Sequence, residues 1–406
     1  MVAVRTTIVP GGFRRSWYTR VLESINTAVP FLNFSHRINL ALLVSAILAK
    51  RTLKLSALAG AYPIPEEHRV ENPKHGLLHR LKRLSRFLGN DRVDDVAVQA
   101  ALIPHTVARL GNPRWLGLAI DWTMFDTLTP KGQRIRYQVL RIAVPRRGRA
   151  LPLLQLAYDR DNLPAPKSQN RLEEEALVAV MEALPRGVRP VILGDRGFAR
   201  TNFFAFLKAN RLDYVVRIDS GTCVTESDGR RWKLGSEGIL PGQIRWLPRV
   251  RYALHHGRPT DLLINLAICW RLPRHQCKNP RHKKPKEPWY LASSLGNAGC
   301  AIAWYQQRGW IEQSFKDSKG RFYLAALHVD CPDRLTRLVT ALTIALTWLI
   351  LAALPEIGAM PKGWHEEIAQ WGRVSVISLA VELLDRLGNL PLACLPSTTL
   401  LKGGYA

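Results

Sequence analysis

Two aspartates lie in apolar stretches of the sequence, where a carboxylate is explained more readily by a chemical role than by a role in keeping the surface soluble. Asp121 lies inside the apolar run 119–123, where a charge needs a cationic partner because burying it unpaired is costly. Asp195 closes the apolar run 191–194, at the carboxyl end of an expected strand, where the sites of sheet-and-helix folds collect. Either aspartate alone could equally be a turn or helix-cap residue.

Glu312 is the third candidate, and the pattern around it is more specific. Tyr305, Arg308, Glu312, Lys316 and Lys319 recur at helical spacing and, at 100° per residue, fall within a sector of about 80°. One helix face would then present a carboxylate beside three cations and a phenol. A solvated face with i,i+4 ion pairs explains the charges but not the tyrosine.

The elements that must position these residues indicate an α/β fold. Runs of β-favouring residues predict three consecutive strands, over 115–125, 135–144 and 151–158. Helix and strand patterns then alternate over 171–184, 190–194, 201–210 and 213–218. The order βββαβαβ predicts a mixed sheet with helices packed on its faces.

Beyond this core the pattern changes twice. Strand-like alternation over 244–254, 261–272 and 289–295 predicts a β-rich insertion, and helix returns over 297–324, 333–354 and 374–387. We therefore expect a helical N-terminal region at 1–110, a core in two parts at 111–219 and 293–355, a β-rich insertion domain at 220–292 and a helical C-terminal region at 356–406.

The charge balance calls for a polyanionic partner. The 406 residues carry 58 Lys and Arg against 32 Asp and Glu, a formal net charge of +26. Double-stranded DNA supplies closely spaced phosphates, and counterions are released when basic side chains replace them. An acidic membrane surface is the rival partner. Its one support is the uncharged run 338–354, which is nearly long enough to span a bilayer but can also be interpreted as a buried core helix.

The cysteines and the N-terminal residues favour a cytoplasmic protein. No Cys-x-x-Cys pair occurs among the six cysteines, which disfavours a disulfide framework and a ribbon-type zinc site. The basic residues at the start lack the apolar core and cleavage site of a signal peptide.

The spacing Tyr-x2-Arg-x3-Glu-x6-Lys, filled by Tyr305, Arg308, Glu312 and Lys319, resembles a known family signature. It is that of the YREK, or insertion sequence family four-like, subgroup of bacterial insertion-sequence transposases in the DDE superfamily. Segments 121–123 (DWT) and 194–198 (GDRGF) resemble the motifs around that family's first two carboxylates. The resemblance covers roughly residues 80–354.

This resemblance implies an RNase H-like catalytic core in which Asp121, Asp195 and Glu312 are the catalytic and metal-binding residues. Three carboxylates can hold two Mg²⁺ ions about 3.5 to 4 Å apart, and hard oxygen ligands also accept Mn²⁺. The resemblance assigns DNA phosphates to Tyr305, Arg308 and Lys319, and Lys316 lies on the same face. It further implies cleavage at element ends and joining to target DNA in a synaptic homodimer.

Trp289 resembles a family position where an aromatic ring stacks on a base flipped out as a hairpin forms at the cut end. Stacking would supply the free energy that unpairing consumes. The alternative is a strand tryptophan that fills the core.

Two further segments are basic. Arg80, Arg83 and Arg86 flank a leucine stripe on an expected helix, and segments 42–50 and 53–61 fit either a helix-turn-helix or two helices of a bundle. The loop 274–286 contains Arg281, Lys283 and Lys284 and could follow a phosphate backbone or be plain surface. His275, Cys277 and His282 lie there too, but a zinc site lacks a fourth ligand.

Two other functions use the same residues. One is a nuclease with this core that cuts DNA without joining it, and the other is a transposase-derived DNA-binding regulator that has lost catalysis. The complete set of carboxylates argues against the regulator.

Overall fold

The protein is described from a computed structural model. Its described residues are 15–62, 73–129, 132–146, 148–163, 168–236, 238–253, 259–271, 287–359, 377, 380 and 381. The basic loop 274–286, with Arg281, Lys283, Lys284 and the three zinc candidates, lies outside them. So does nearly all of the chain after residue 359, including most of the helix expected at 374–387.

The core sheet has the strand arrangement expected from the sequence. Its strands are β1 (Trp115–Leu128), β2 (Arg134–Arg146), β3 (Arg149–Asp159), β4 (Arg189–Gly194) and β5 (Asp213–Ile218). They lie in the order β3-β2-β1-β4-β5, with β1 antiparallel to β2 and parallel to β4. With α6 (Gln169–Ala183) and α7 (Thr201–Ala209) between strands, this is the predicted RNase H-like core, and the predicted α/β class is confirmed.

The β-rich segment extends the same sheet. Its strands are β6 (Cys223–Thr225), β7 (Arg231–Lys233), β8 (Ile244–Ala253), β9 (Pro259–Cys269) and β10 (Trp289–Ser293). Strand β10 pairs antiparallel with both β5 and β9. Within the described residues, ten strands therefore form one continuous sheet.

The N-terminal residues form helices, as predicted. They are α1 (Arg15–Ala28), α2 (Phe34–Lys50), α3 (Leu55–Ala61), α4 (Pro73–Leu88) and α5 (Asp95–Arg109). Residues 40–48 of α2 are buried, and α3 carries no basic side chain. This favours helices of a bundle over a DNA-reading helix-turn-helix.

Helix α10 (Pro332–Ala359) contains the uncharged run, and it lies in the core. Among the described helices it is the one long and apolar enough to cross a membrane, yet its residues 335–352 are all buried inside the fold. Its threonines hydrogen-bond to β3, since the Thr347 hydroxyl donates to the Pro152 carbonyl at 2.8 Å. The interpretation as a buried core helix is confirmed.

Small residues on one face of the sheet let two helices approach closely. Helices α8 (Ala298–Arg308) and α9 (Trp310–Lys316) cover this face, which we call the front face. Gly117 and Ala119 on β1 and Ala143 on β2 lie there. A Cβ atom at Gly117 would stand 2.8 Å from the Trp304 ring on α8. Helices α6 and α7 pack on the other side, the back face.

We predict that Gly117→Ala destabilises the protein by about 1–3 kcal/mol, because the added methyl forces α8 away from the sheet. Urea unfolding followed by circular dichroism measures the change. Gly60→Ala is the control, since Gly60 is exposed in α3 with open space around it, and alanine there should be neutral or stabilising by up to about 1 kcal/mol. Equal stability of the Gly117→Ala variant and the wild type would contradict close packing at this point.

Candidate active site

The register of two parallel strands brings the aspartates together. Ala119 on β1 pairs with Leu193 on β4. Asp121 and Asp195 each lie two residues further on, and side chains alternate along extended backbone with a period of two. Both carboxylates therefore extend from the front face at the same level, although 74 positions separate them in the sequence.

Each aspartate uses one oxygen to fix its own backbone and leaves the other for the site. Asp121 Oδ1 accepts from the Trp122 amide at 2.8 Å. Asp195 Oδ1 accepts from the Gly197 amide at 2.8 Å and so caps the short 3₁₀ turn Arg196–Phe198. Asp195 therefore does act as a cap residue, and its second oxygen, Oδ2, remains for the site.

Glu312 reaches the site from above the sheet, on a helix that is less regular than predicted. The expected helix over 297–324 is split at Gly309 into α8 and α9, and a π-helical turn, Asp317–Arg321, follows. Glycine has low helix propensity, which is consistent with the break. Arg308 and Glu312 lie on either side of it but keep an i,i+4 ion pair.

The guanidinium of Arg308 joins all three carboxylates. Its Nη2 donates to Asp121 Oδ2 at 2.8 Å and to Asp195 Oδ2 at 3.1 Å. Its Nη1 donates to Glu312 Oε1 at 2.5 Å. The Arg308 and Asp121 side chains are only 11% and 13% exposed, so the pairing is partly shielded from water. The three acids singled out in the sequence therefore converge on one point.

The charges at this point shift one another's pKa values. Burial raises the pKa of Asp121 to about 6, and the nearby carboxylates of Asp195 and Glu312 add to the rise while Arg308 opposes it. Burial alone would lower the pKa of Arg308, but the surrounding carboxylates raise it above its ordinary value. The site thus contains more negative charge than one guanidinium balances.

A divalent cation fits the donor set but not the present side-chain positions. Three carboxylates are the hard oxygen ligands that Mg²⁺ and Mn²⁺ prefer. As the side chains stand, no group of three or more His, Cys, Asp or Glu within the described ranges is arranged to hold a metal ion. The guanidinium of Arg308 lies between the three carboxylates, so it would have to move away before a cation could bind there.

The other residues of the helix signature are not joined to the carboxylates. Lys319 Nζ donates to the Met124 carbonyl at 2.7 Å, and Lys316 is exposed. The π-helical turn changes the angular position of Lys319 relative to a regular helix. Tyr305 is buried, and its ring meets the half-buried ring of Trp289 edge-on at 5.0 Å. Burial raises the pKa of its hydroxyl.

The predicted DNA-binding arginines of α4 lie on a different part of the fold. Helix α4 packs against α2, α3 and α10. Arg83 and Arg86 are exposed, Arg80 is half-buried, and Arg83 Nε donates to Asn39 Oδ1 at 2.8 Å. They are therefore not among the residues brought together at the carboxylates.

Arg141 is a residue of the site that the sequence reasoning missed. It faces Asp121 across β1 and β2 and is fully buried, and burial lowers its pKa to about 9. Its guanidinium donates to Gln155 Oε1 at 2.6 Å and Ser318 Oγ at 2.8 Å, and lies over the Phe315 ring. It thereby holds α9, and with it Glu312, against the sheet. The available signal was an arginine inside the apolar run 139–144.

Comparison with known proteins matches the chain to one family model. A family model described as a transposase DDE domain matches residues 116–348, more than half of the chain. The matched region begins in β1, ends in α10 and includes all three acids. No curated protein matches the sequence significantly.

We predict that Arg308→Gln lowers the free energy of unfolding by about 2–3 kcal/mol at pH 7, because three carboxylates lose their shared cation. Arg171→Gln, which breaks an exposed i,i+4 pair with Glu175, is the matched control and should change it by no more than about 0.5 kcal/mol. Equal effects of the two substitutions would show that the carboxylates do not depend on Arg308.

The loss in Arg308→Gln should depend on pH. The pKa of Asp121 rises on folding from 3.8 to about 6, so the folded protein binds more protons and loses stability as the pH rises through that window. Arg308 limits this loss by stabilising the charged form. The deficit of the variant should therefore be larger at pH 7 than at pH 5 in urea titrations, and a pH-independent deficit would contradict the assignment.

Proposed function

The chain belongs to the family of transposase DDE domains, and from this premise we propose that it cuts the ends of a mobile DNA element and joins them to target DNA. Asp121, Asp195 and Glu312 are the proposed catalytic carboxylates. The observation that carries the proposal is their convergence, from two strands and a helix, on the Arg308 guanidinium.

The residues around Glu312 support membership of the YREK subgroup. Tyr305, Arg308, Glu312 and Lys319 fill its four positions. Because Arg308 is paired with all three carboxylates, its side chain would have to move before a cation could bind them. An arginine can bind a phosphate through two parallel hydrogen bonds. In the proposal, Arg308 turns from the carboxylates to a DNA phosphate and leaves their oxygens to a cation.

Transposase DDE domains generally use divalent metal ions. We propose Mg²⁺, replaceable by Mn²⁺, as a pair of ions held by Asp121, Asp195 and Glu312. When bound, such ions activate the attacking oxygen and stabilise the leaving oxygen of a phosphodiester. The chain itself contributes the fixed oxygens: backbone amides already hold the Oδ1 atoms of both aspartates, so each Oδ2 keeps its direction.

The rest of the chain is assigned by its charge and position. We propose that Lys316, Lys319 and the α4 arginines contact the phosphates of double-stranded DNA, together with Arg281, Lys283 and Lys284 of the basic loop. The proposed division of labour keeps a DNA-binding region at 1–110, the insertion at 220–292 and a dimerising region at 356–406. A homodimer would hold two element ends and the target together.

We predict that Asp195→Asn or Glu312→Gln abolishes cleavage of element-end DNA in the presence of Mg²⁺, because a carboxylate ligand is lost. DNA binding should stay within about threefold of the wild type, since phosphate contacts by Lys and Arg supply most of the affinity. Cleavage is read on denaturing gels and binding by fluorescence anisotropy. Asp161→Asn, at an exposed carboxylate, is the control.

The same assay separates the alternatives. Supplying pre-cut ends and a target duplex tests joining, and strand-transfer products from the wild type support a transposase over a simple nuclease. Binding without metal-dependent cleavage by the wild type would indicate a regulator. Normal nicking by either active-site variant would remove that residue from the site.

We also propose a cut-and-paste reaction through a hairpin, with Trp289 stacking on an unpaired base. The ring lies beside Tyr305 and beneath Arg271, at the start of β10, the last strand of the insertion. Trp289→Ala should reduce hairpin formation about tenfold or more while nicking continues, because stacking offsets unpairing by about 1–3 kcal/mol per base.

Trp232→Ala is the matched control for this prediction, because Trp232 is a half-buried strand tryptophan held by Glu226. Trp289→Phe should retain much of the activity. If Trp289→Ala forms hairpins normally and only unfolds at lower temperature, the tryptophan is a packing residue.

A further inference from the structure

A buried glutamate lies behind the two aspartates, on the back face of the sheet. Glu173, on α6, has no exposed surface. Its Oε1 accepts from the indole nitrogen of Trp122 at 2.7 Å, and its Oε2 accepts from Nη2 of Arg200. Trp122 follows Asp121 on β1, and because side chains alternate, its ring extends to the back face while Asp121 extends to the front.

Both ends of this contact lead to the candidate site. Arg200 Nη1 donates to the Gly197 carbonyl at 2.7 Å, and the amide of Gly197 donates to Asp195 Oδ1 at 2.8 Å. On the other side, the Trp122 amide donates to Asp121 Oδ1 at 2.8 Å. Glu173 is thus linked to Asp121 through Trp122, and to Asp195 through Arg200 and Gly197. We call this set the Glu173 bridge: Trp122, Glu173, Arg200 and Gly197.

Stability alone does not explain the Glu173 bridge, because burying a charged carboxylate costs free energy. Burial raises the pKa of Glu173, while the Trp122 and Arg200 hydrogen bonds oppose the rise and hold the charge in place. A buried ion pair is often no more stabilising than a well-packed apolar pair of similar volume. Its neighbours on α6, Leu172, Ala176 and Leu177, are such apolar residues.

The part of the site that needs support is the turn carrying Asp195. The Asp195 side chain is 38% exposed, and its turn contains only the three residues Arg196–Phe198. The Arg200 guanidinium donates to the Gly197 carbonyl and so restricts the orientation of this peptide from behind the turn. Residues that orient metal ligands through hydrogen bonds usually alter metal affinity 10–100-fold when they are changed.

We propose that Glu173 is a positioning residue that sets the separation of Asp121 and Asp195 and thereby the affinity of the site for a divalent cation. This inference rests on the proposed function, since it concerns the same carboxylates. It assigns to α6, on the opposite side of the sheet, a direct part in the geometry of the site.

The test is Mn²⁺ binding to the full-length protein bound to an element-end duplex, the state in which Arg308 is proposed to have left the carboxylates. Binding is measured by the electron paramagnetic resonance signal of free Mn²⁺, with the duplex alone as the blank. Glu173→Gln keeps the size of the side chain but replaces one accepting oxygen with an NH₂ donor, so one bridge contact is lost. We expect the Mn²⁺ dissociation constant to rise about tenfold or more. The Mg²⁺ concentration for half-maximal cleavage should rise in parallel, with less change in the rate at saturating Mg²⁺.

Two further variants guard against a simple folding defect. Trp122→Phe keeps an aromatic ring beside Tyr158 but loses the indole N–H together with the fused five-membered ring. It leaves the Glu173–Arg200 ion pair intact, so it should weaken Mn²⁺ binding less than Glu173→Gln does. Glu175→Gln, at a half-exposed carboxylate two residues further along α6, should bind Mn²⁺ as the wild type does.

The outcomes distinguish the bridge from the site itself. Equal Mn²⁺ affinity of Glu173→Gln and the wild type overturns the positioning role, provided that Asp195→Asn loses binding. If Asp195→Asn binds as tightly as the wild type, the proposed function fails first. A fall in the unfolding temperature of Glu173→Gln with unchanged Mn²⁺ affinity makes the bridge structural only.

Discussion

Repulsion among three carboxylates is the constraint to which the surrounding structure responds. Like charges a few ångströms apart in a partly shielded site repel by several kcal/mol at an effective dielectric constant near 20. Arg308 offsets this repulsion from the centre. Arg141 anchors the helix that carries Glu312 through Ser314, and Glu173 links Trp122 on β1 to Arg200 beyond the Asp195 turn. Small residues at Gly117 and Ala119 let the helices come close enough for these contacts.

The sequence singled out the three acids that converge on Arg308, because local patterns mark each of them. Asp121 and Asp195 interrupt or close apolar runs, and the strand periods place both on one face once β1 and β4 are neighbours. The partners were harder to predict, because Arg141 and Glu173 appear in sequence as isolated charges. Their significance lies in contacts such as Arg141 to Ser318, which join residues 177 positions apart.

The fold was predictable where elements follow one another and less so where distant segments meet. The order βββαβαβ predicted the mixed sheet with helices on its faces, and the family resemblance implied its RNase H-like form. Strands β8, β9 and β10 of the insertion were expected, whereas the short strands β6 and β7 were not. That β10 would pair with β5 was not, because hydrogen bonding between strands about 70 residues apart leaves no periodic signal. The helix break at Gly309 and the π-helical turn after it were likewise hidden by a continuous helical pattern.

The pairing of β10 with β5 makes the insertion mechanically continuous with the core. Four residue pairs, from Tyr290–Ile218 to Ser293–Val215, join the two parts, and the Tyr252 hydroxyl also binds the Ala199 carbonyl beside the Asp195 turn. An independent swing of the insertion would have to break this ladder. Torque exerted on the distal strands by a bent duplex would consequently travel along the sheet as strain, rather than dissipate at a flexible joint.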